Sequence, residues 1–195
     1  MKTETMTIEM PIEPMATRVA LHPFLAGMNH NQLAYLTDCA MPVQFKKGEV
    51  IFHEGELANR FYLIETGNVI LESNGGMSDP VIVDSIGAGD LLGWSWMFPP
   101  YSWHFTARAV EPVTAIFFYG TILREYCERH HSLGYELLKR MSAVMTRRMQ
   151  SARKKMLAVH HGETLPPVGL SPFMEQEFDT YPGAGDDQEL CDKAN

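Results

Sequence analysis

The chain has 195 residues, 45% of them hydrophobic, with 24 acids against 16 bases and a formal net charge of −8. That balance describes one domain of ordinary size with a real core and excludes a chain disordered throughout. No run of eighteen apolar residues occurs, so no membrane-spanning helix is expected. Met1 to Met15 alternate acids, Thr, Met and Pro without the apolar centre of a signal peptide, and a cytoplasmic protein is expected. Cys39, Cys127 and Cys191 are odd in number and far apart, which fits reduced thiols rather than a disulfide framework. The charge is uneven: from Glu163 onward there are eight acids and one base, Lys193. The remaining body is close to neutral, which argues against a nucleic-acid surface.

Residues 1–18 form a polar lead, expected to be flexible. A short helical pattern follows from Asn29 to Thr37, with Leu33 and Leu36 on one side and Asn29 or Asn31 as cap. The period then changes to two. Strands are predicted at Val43–Phe45, Val50–His53, Arg60–Glu65 and Val69–Glu72, then at Val81–Asp84, Asp90–Leu92, Phe105–Val110 and Thr114–Tyr119. Glycine-bearing breakers such as Lys47-Gly48, Glu54-Gly55 and Thr66-Gly67-Asn68 separate them. Eight short strands at this spacing imply a sandwich, jelly roll or barrel.

After Gly120 the helical period returns. One helix is predicted over Thr121–His130 and a long one over about 132–160. On the long helix Leu138, Met141, Met145, Met149, Ala152, Met156 and Val159 fall three and four apart. A narrow apolar stripe on so long a helix suggests a helix-pairing seam, with Arg147, Arg148, Arg153, Lys154 and Lys155 on a solvated opposite face. Residues 162–195 are rich in Pro, Gly and acids and are expected to be a disordered tail. The folded domain is therefore placed at 19–161.

The stretch from His22 to Val159 resembles the cyclic nucleotide-binding domain of the catabolite activator and kinase regulatory-subunit families. The likeness opens with His22-Pro23-Phe24-Leu25 and continues through Phe45-Lys46-Lys47-Gly48-Glu49-Val50-Ile51-Phe52-His53-Glu54-Gly55-Glu56 and Phe61-Tyr62-Leu63-Ile64-Glu65-Thr66-Gly67. It implies a mainly β fold with helices: an eight-stranded β-roll, jelly-roll-like, followed by a long C-terminal dimerisation helix.

In that family the ligand sits in a loop-and-helix cassette, here Gly89 to Ala107. Backbone N–H groups and an arginine take the phosphate, and an acid takes the ribose hydroxyl. This sequence keeps Gly93, but Trp94 stands at the acid's place, Trp103 at the arginine's, and His104 where a small hydroxyl residue is usual. Arg108 matches a strand position outside the phosphate contacts. The adenine-reading positions map to Ala152 and Arg153. The candidate ligand-binding residues are accordingly Gly93, Trp94, Ser95, Trp96, Trp103, His104, Phe105, Ala152 and Arg153. Cyclic AMP and cyclic GMP are not expected to bind in the family's manner. Either the rings fill the vacated pocket, or they line one for an apolar or aromatic ligand with His104 or a tryptophan N–H as polar anchor.

No cofactor and no metal site are expected, and no Ser-His-Asp or Cys-His spacing suggests an enzyme. Family regulators carry a DNA-reading winged helix after the long helix. The 34 residues after His161 hold four prolines and the acidic excess, so no direct DNA binding is expected. The expected function is a stand-alone regulatory or sensor module, homodimeric, with a protein partner and no membrane. The alternatives are a transcription regulator of the catabolite-activator type and a protein-interaction scaffold with a filled pocket.

Overall fold

The computed structural model describes residues 13–73 and 80–161. The tail expected over 162–195 and most of the lead expected over 1–18 lie outside the described residues. In order, the elements are α1 (Met15–Leu21), a 3-10 turn (Pro23–Leu25), α2 (His30–Asp38), β1 (Ala40–Phe45), β2 (Val50–Phe52), β3 (Arg60–Thr66) and β4 (Val69–Ser73). They continue with β5 (Val81–Ile86), β6 (Leu91–Leu92), a 3-10 turn (Trp94–Met97), β7 (Thr106–Ala109), β8 (Val113–Tyr119), α3 (Gly120–Arg129) and α4 (His131–His160). All eight predicted strands and both predicted C-terminal helices are present, with ends shifted by a few residues.

The strands form two four-stranded sheets, in the order β1-β8-β3-β6 and β2-β7-β4-β5, with every pair antiparallel. Side-chain alternation sorts them between two cores. On β3, Phe61 and Leu63 point to the helices while Tyr62 and Ile64 point into the roll. On β8, Ile116 and Phe118 go to the helices, and Val113 and Ala115 go to the roll. The helical core is completed by Val19, Phe24, Leu36, Leu123, Leu133, Leu137 and Met141.

Local chemistry sets the element ends. Asn29 caps α2 in a capping box: its Oδ1 accepts from the Gln32 N–H at 3.0 Å, and Gln32 Oε1 accepts from the Asn29 N–H at 3.1 Å. Gly67 turns β3 into β4 at φ 85°, where a Cβ would stand 2.3 Å from the Pro112 carbonyl oxygen.

The flexible lead expected over 1–18 does not hold for its last residues. Met15 opens α1, Val19 is buried, and Arg18 pairs with the Glu65 carboxylate on β3, its Nε donating at 2.8 Å. The helix escaped notice because only one apolar side chain of its seven residues is buried.

The long-helix seam also needs correction. Met141 is fully buried in the core of its own chain, with Leu133, Leu137 and Val144. The buried face of α4 follows 133, 137, 140, 141 and 144, so the first half of the helix covers the β body. Arg140 belongs to that face, donating to the Phe24 carbonyl at 2.8 Å and to Glu136 at 2.8 Å. Leu138, Met149 and Met156 are exposed, as is Ala152, and Met145 is half-buried.

His22 joins the N-terminal turn to β3. Its Nδ1 accepts from the Phe24 N–H at 3.2 Å, so Nε2 carries the proton and donates to the Ile64 carbonyl at 3.1 Å. Burial lowers its pKa, and the Ile64 bond and Glu65 offset only part of this. A native pKa below the unfolded value means the unfolded chain binds the extra proton first. Stability from this site is complete above about pH 6.5 and is lost as pH falls through the lowered native pKa. Urea unfolding between pH 7.5 and 5 should show this decline in the wild type and a flatter profile in His22→Gln. Parallel profiles would assign the decline to other groups.

Candidate functional site

The cassette begins at Gly93, which ends β6 at φ 85° and caps the 3-10 turn Trp94–Met97. The three tryptophans then go three ways. Trp96 is fully buried in the helical core, stacked on Phe61 with ring centroids 5.4 Å apart. A side chain so enclosed lines neither the small void nor the cleft described below, so its place among the ligand-binding residues is corrected; its Nε1 is buried without a partner. Trp103 lies inside the roll, 5% exposed, stacked on Phe52 at 3.9 Å and 13°. Trp94 is half-buried and stacks on His104 at 5.5 Å.

Trp103 and Gly93 are one device. A Cβ at Gly93 would stand 2.8 Å from Trp103 Cζ3 and 2.9 Å from Cη2. The tryptophan ring therefore lies on the glycine, where a phosphate-holding cassette needs open space. The void beside Gly93, Ser95, Trp103, His104 and Arg148 measures about 20 Å³, room for a water and not for a phosphate. Ser95 Oγ and His104 Nδ1 are hydrogen-bonded at 3.0 Å across the cassette mouth, with Ser95 buried and His104 exposed. Arg108 is turned away, held by Glu72 at 3.2 Å and by the Gly48 carbonyl.

The open space lies one layer out, between the roll and α4. A cleft of about 490 Å³ is walled by Leu71, Val83, Trp94 and Phe105 on the roll side and by Met145, Met149 and Ala152 on the helix. Ser142, Thr146, Ser151, Asp84, Arg148 and Lys155 supply the polar lining. This volume is that of a site for a small organic molecule. Of the candidate residues, Trp94, Phe105 and Ala152 meet here. Gly93, Ser95, Trp103 and His104 surround the small void, and Arg153 is exposed and lines neither space. Arg153 is therefore removed from the candidate site.

Arg148 and Lys155 do not lie on the solvated face expected of them. Arg148 donates to the Leu91 carbonyl on β6 and lies 3.8 Å from Asp84; Lys155 also lies 3.8 Å from Asp84. Burial lowers the Arg148 pKa, against the pull of Asp90 and Asp84. A guanidinium titrates so high that Arg148 stays charged at neutral pH. The signal for these two residues was in the helix period: 141, 145, 148, 152 and 155 are three and four apart, and the apolar stripe diverges from that row at Met149. Among the described residues no cluster of three His, Cys, Asp or Glu could hold a metal ion. None of their helices is long and apolar enough to cross a membrane.

Gly93→Ala should destabilise the protein by more than about 1 kcal/mol, because a positive φ and a ring contact are both violated. Trp103→Ala should cost about 3–5 kcal/mol by emptying the roll. The double variant should cost clearly less than the sum, since removing the ring relieves the clash. Additive losses in urea unfolding would show that ring and glycine act separately.

The family model for the cyclic nucleotide-binding domain matches residues 42–130. The CRP-like cAMP-activated global transcriptional regulator of Mycobacterium tuberculosis is 26% identical over 124 residues, 64% of this chain and 54% of the regulator. The chain thus spans about half the length of the curated relatives it matches. Among solved structures, the catabolite activator protein of Thermus thermophilus shares the fold at a TM-score of 0.57 and 19% identity, over 71% of this chain and 63% of that one. A Geobacter metallireducens chain described as a cyclic nucleotide-binding protein superposes at a TM-score of 0.61 and 30% identity over 71% of this chain. Since that relative is covered over 98% of its length and carries the same roll, this chain belongs to the cyclic nucleotide-binding domain family.

Proposed function

We propose that this chain is a regulatory sensor module whose phosphate cassette has been closed by aromatic side chains and whose ligand enters the cleft between the roll and α4. Trp103 carries this reading. It stands where the family's phosphate arginine is expected, is buried, and lies on Gly93. A cyclic phosphate brought there would meet a ring at the arginine's place, and the remaining void of about 20 Å³ beside Arg148 does not admit it. The module works without catalysis, in the cytoplasm. Ligand binding acts by favouring one seating of α4 on the roll, which requires unequal affinity for two arrangements.

The same helix supplies the dimer contact. Leu138, Met149 and Met156 are 42%, 67% and 73% exposed along one side of α4, and a two-fold axis would set this stripe against its own copy. The module does not grip DNA by itself, because residues 162–195 carry eight acids and one base and the body is near neutral. It acts through a protein partner. The likeness to the Mycobacterium regulator favours a second reading, a transcription regulator of the catabolite-activator type. Gel shifts with and without cell extract separate the two: a shift by the purified chain alone selects the second.

Calorimetric titration with cyclic AMP and cyclic GMP should give no saturable binding at low micromolar concentration. Saturable binding there would overturn the closed cassette. In sedimentation the wild type should run as a dimer and Met156→Lys as a monomer, with near-wild-type helicity. A wild type that sediments as a monomer would remove the α4 contact.

A further inference from the structure

We propose that the cleft between the roll and α4 takes an aromatic organic acid, a flat apolar body bearing one carboxylate, with Arg148 and Lys155 receiving the anion. This rests on the reading of the cleft as the ligand site. The apolar part follows from the walls: Trp94 and Phe105 offer ring surface from the roll, and Met145 offers an adaptable thioether from the helix.

The anion follows from the charges. Around Arg148 and the cleft, Arg147, Arg148 and Lys155 face Asp84 and Asp90, a local surplus of one positive charge. Arg148 and Lys155 converge on Asp84 from positions two turns apart on α4, and both stop at 3.8 Å. A charge-assisted hydrogen bond closes to about 2.7–2.9 Å. Asp84 thus closes a tight ion pair with neither cation. A second carboxylate entering the cleft has donors within reach and balances the surplus. A phosphate monoester, nearer to −2 at neutral pH, exceeds it. A cationic ligand would face the two bases.

Lys155 is the residue to test, because its side chain is one-third exposed and its contacts are long, 3.8 Å to Asp84 and 3.4 Å to the Val83 carbonyl, whereas Arg148 fastens α4 to the Leu91 carbonyl. Naphthalene-1-acetate and naphthalene-1-acetamide share shape and differ in charge. Titrated calorimetrically into the full-length chain, the acid should bind at least tenfold more tightly than the amide. Lys155→Met should narrow that margin at least threefold, and Lys155→Arg should restore it. The margin should also shrink with added salt.

Equal or tighter binding of the amide would overturn the anion assignment while leaving the cleft as an apolar ligand site. A margin unchanged in Lys155→Met would overturn the role of Lys155. Binding of neither compound, as when the partner copy's helix fills the cleft, would overturn the ligand reading itself and this inference with it.

Discussion

Strand β3 is apolar on consecutive residues, Phe61-Tyr62-Leu63-Ile64, and each of the four is buried. A strand with one solvated face cannot be written that way, because its side chains alternate in direction. β3 therefore must have structure on both sides. The roll closes over Tyr62 and Ile64, and the helices close over Phe61 and Leu63. β8, beside it, is sorted in the same manner. This two-sided sheet obliges the N-terminal helices, α3 and the first half of α4 to pack on its outer surface. The polar ties reinforce the same layer: Arg18 to Glu65, His22 to the Ile64 carbonyl, and Arg140 to the Phe24 carbonyl.

Because the outer face of the sheet is taken, the proposed ligand site is confined to the inner face and its rim. Trp103 occupies the inner space beside Phe52 and uses Gly93 as its seat. Between them only a void of about 20 Å³ is left. What remains is the gap where α4 leaves the helical core and passes the open edge of the second sheet, near β5. There the helix presents Met145, Arg148, Ala152 and Lys155 to the roll rather than another core layer. The polar and apolar lining of the cleft follows from a helix that is core at one end and rim at the other.

The strands were legible because period-two runs alternate with glycine turns, and those turns need conformations open to few other residues. The fates of the three tryptophans were not legible. Trp94, Trp96 and Trp103 look alike in sequence, yet a 3-10 turn sends Trp96 to the helices and Trp94 to the rim, while the chain returning toward β7 carries Trp103 inside. Direction in such a turn depends on a few dihedral angles that composition does not record. Helix α1 was missed for a related reason: one buried valine and one ion pair hold it, too little for a periodic signal. On α4, ranking residues by hydrophobicity followed Met149 and Met156 and passed over Arg148, whose long stem lies against the roll and whose charged end bonds to a β6 carbonyl.

The unequal burial of the three indoles also gives the molecule a built-in optical reporter. Trp96 and Trp103 are shielded from water, so their emission should be blue-shifted and inaccessible to a dissolved quencher such as acrylamide. Trp94 alone is half-exposed, and it stands in the wall of the cleft. The quenchable, red-shifted fraction of the emission is therefore a local signal from the cleft, separable from the fold without any attached dye. Occupation of the cleft and loosening of the roll would change different parts of one spectrum.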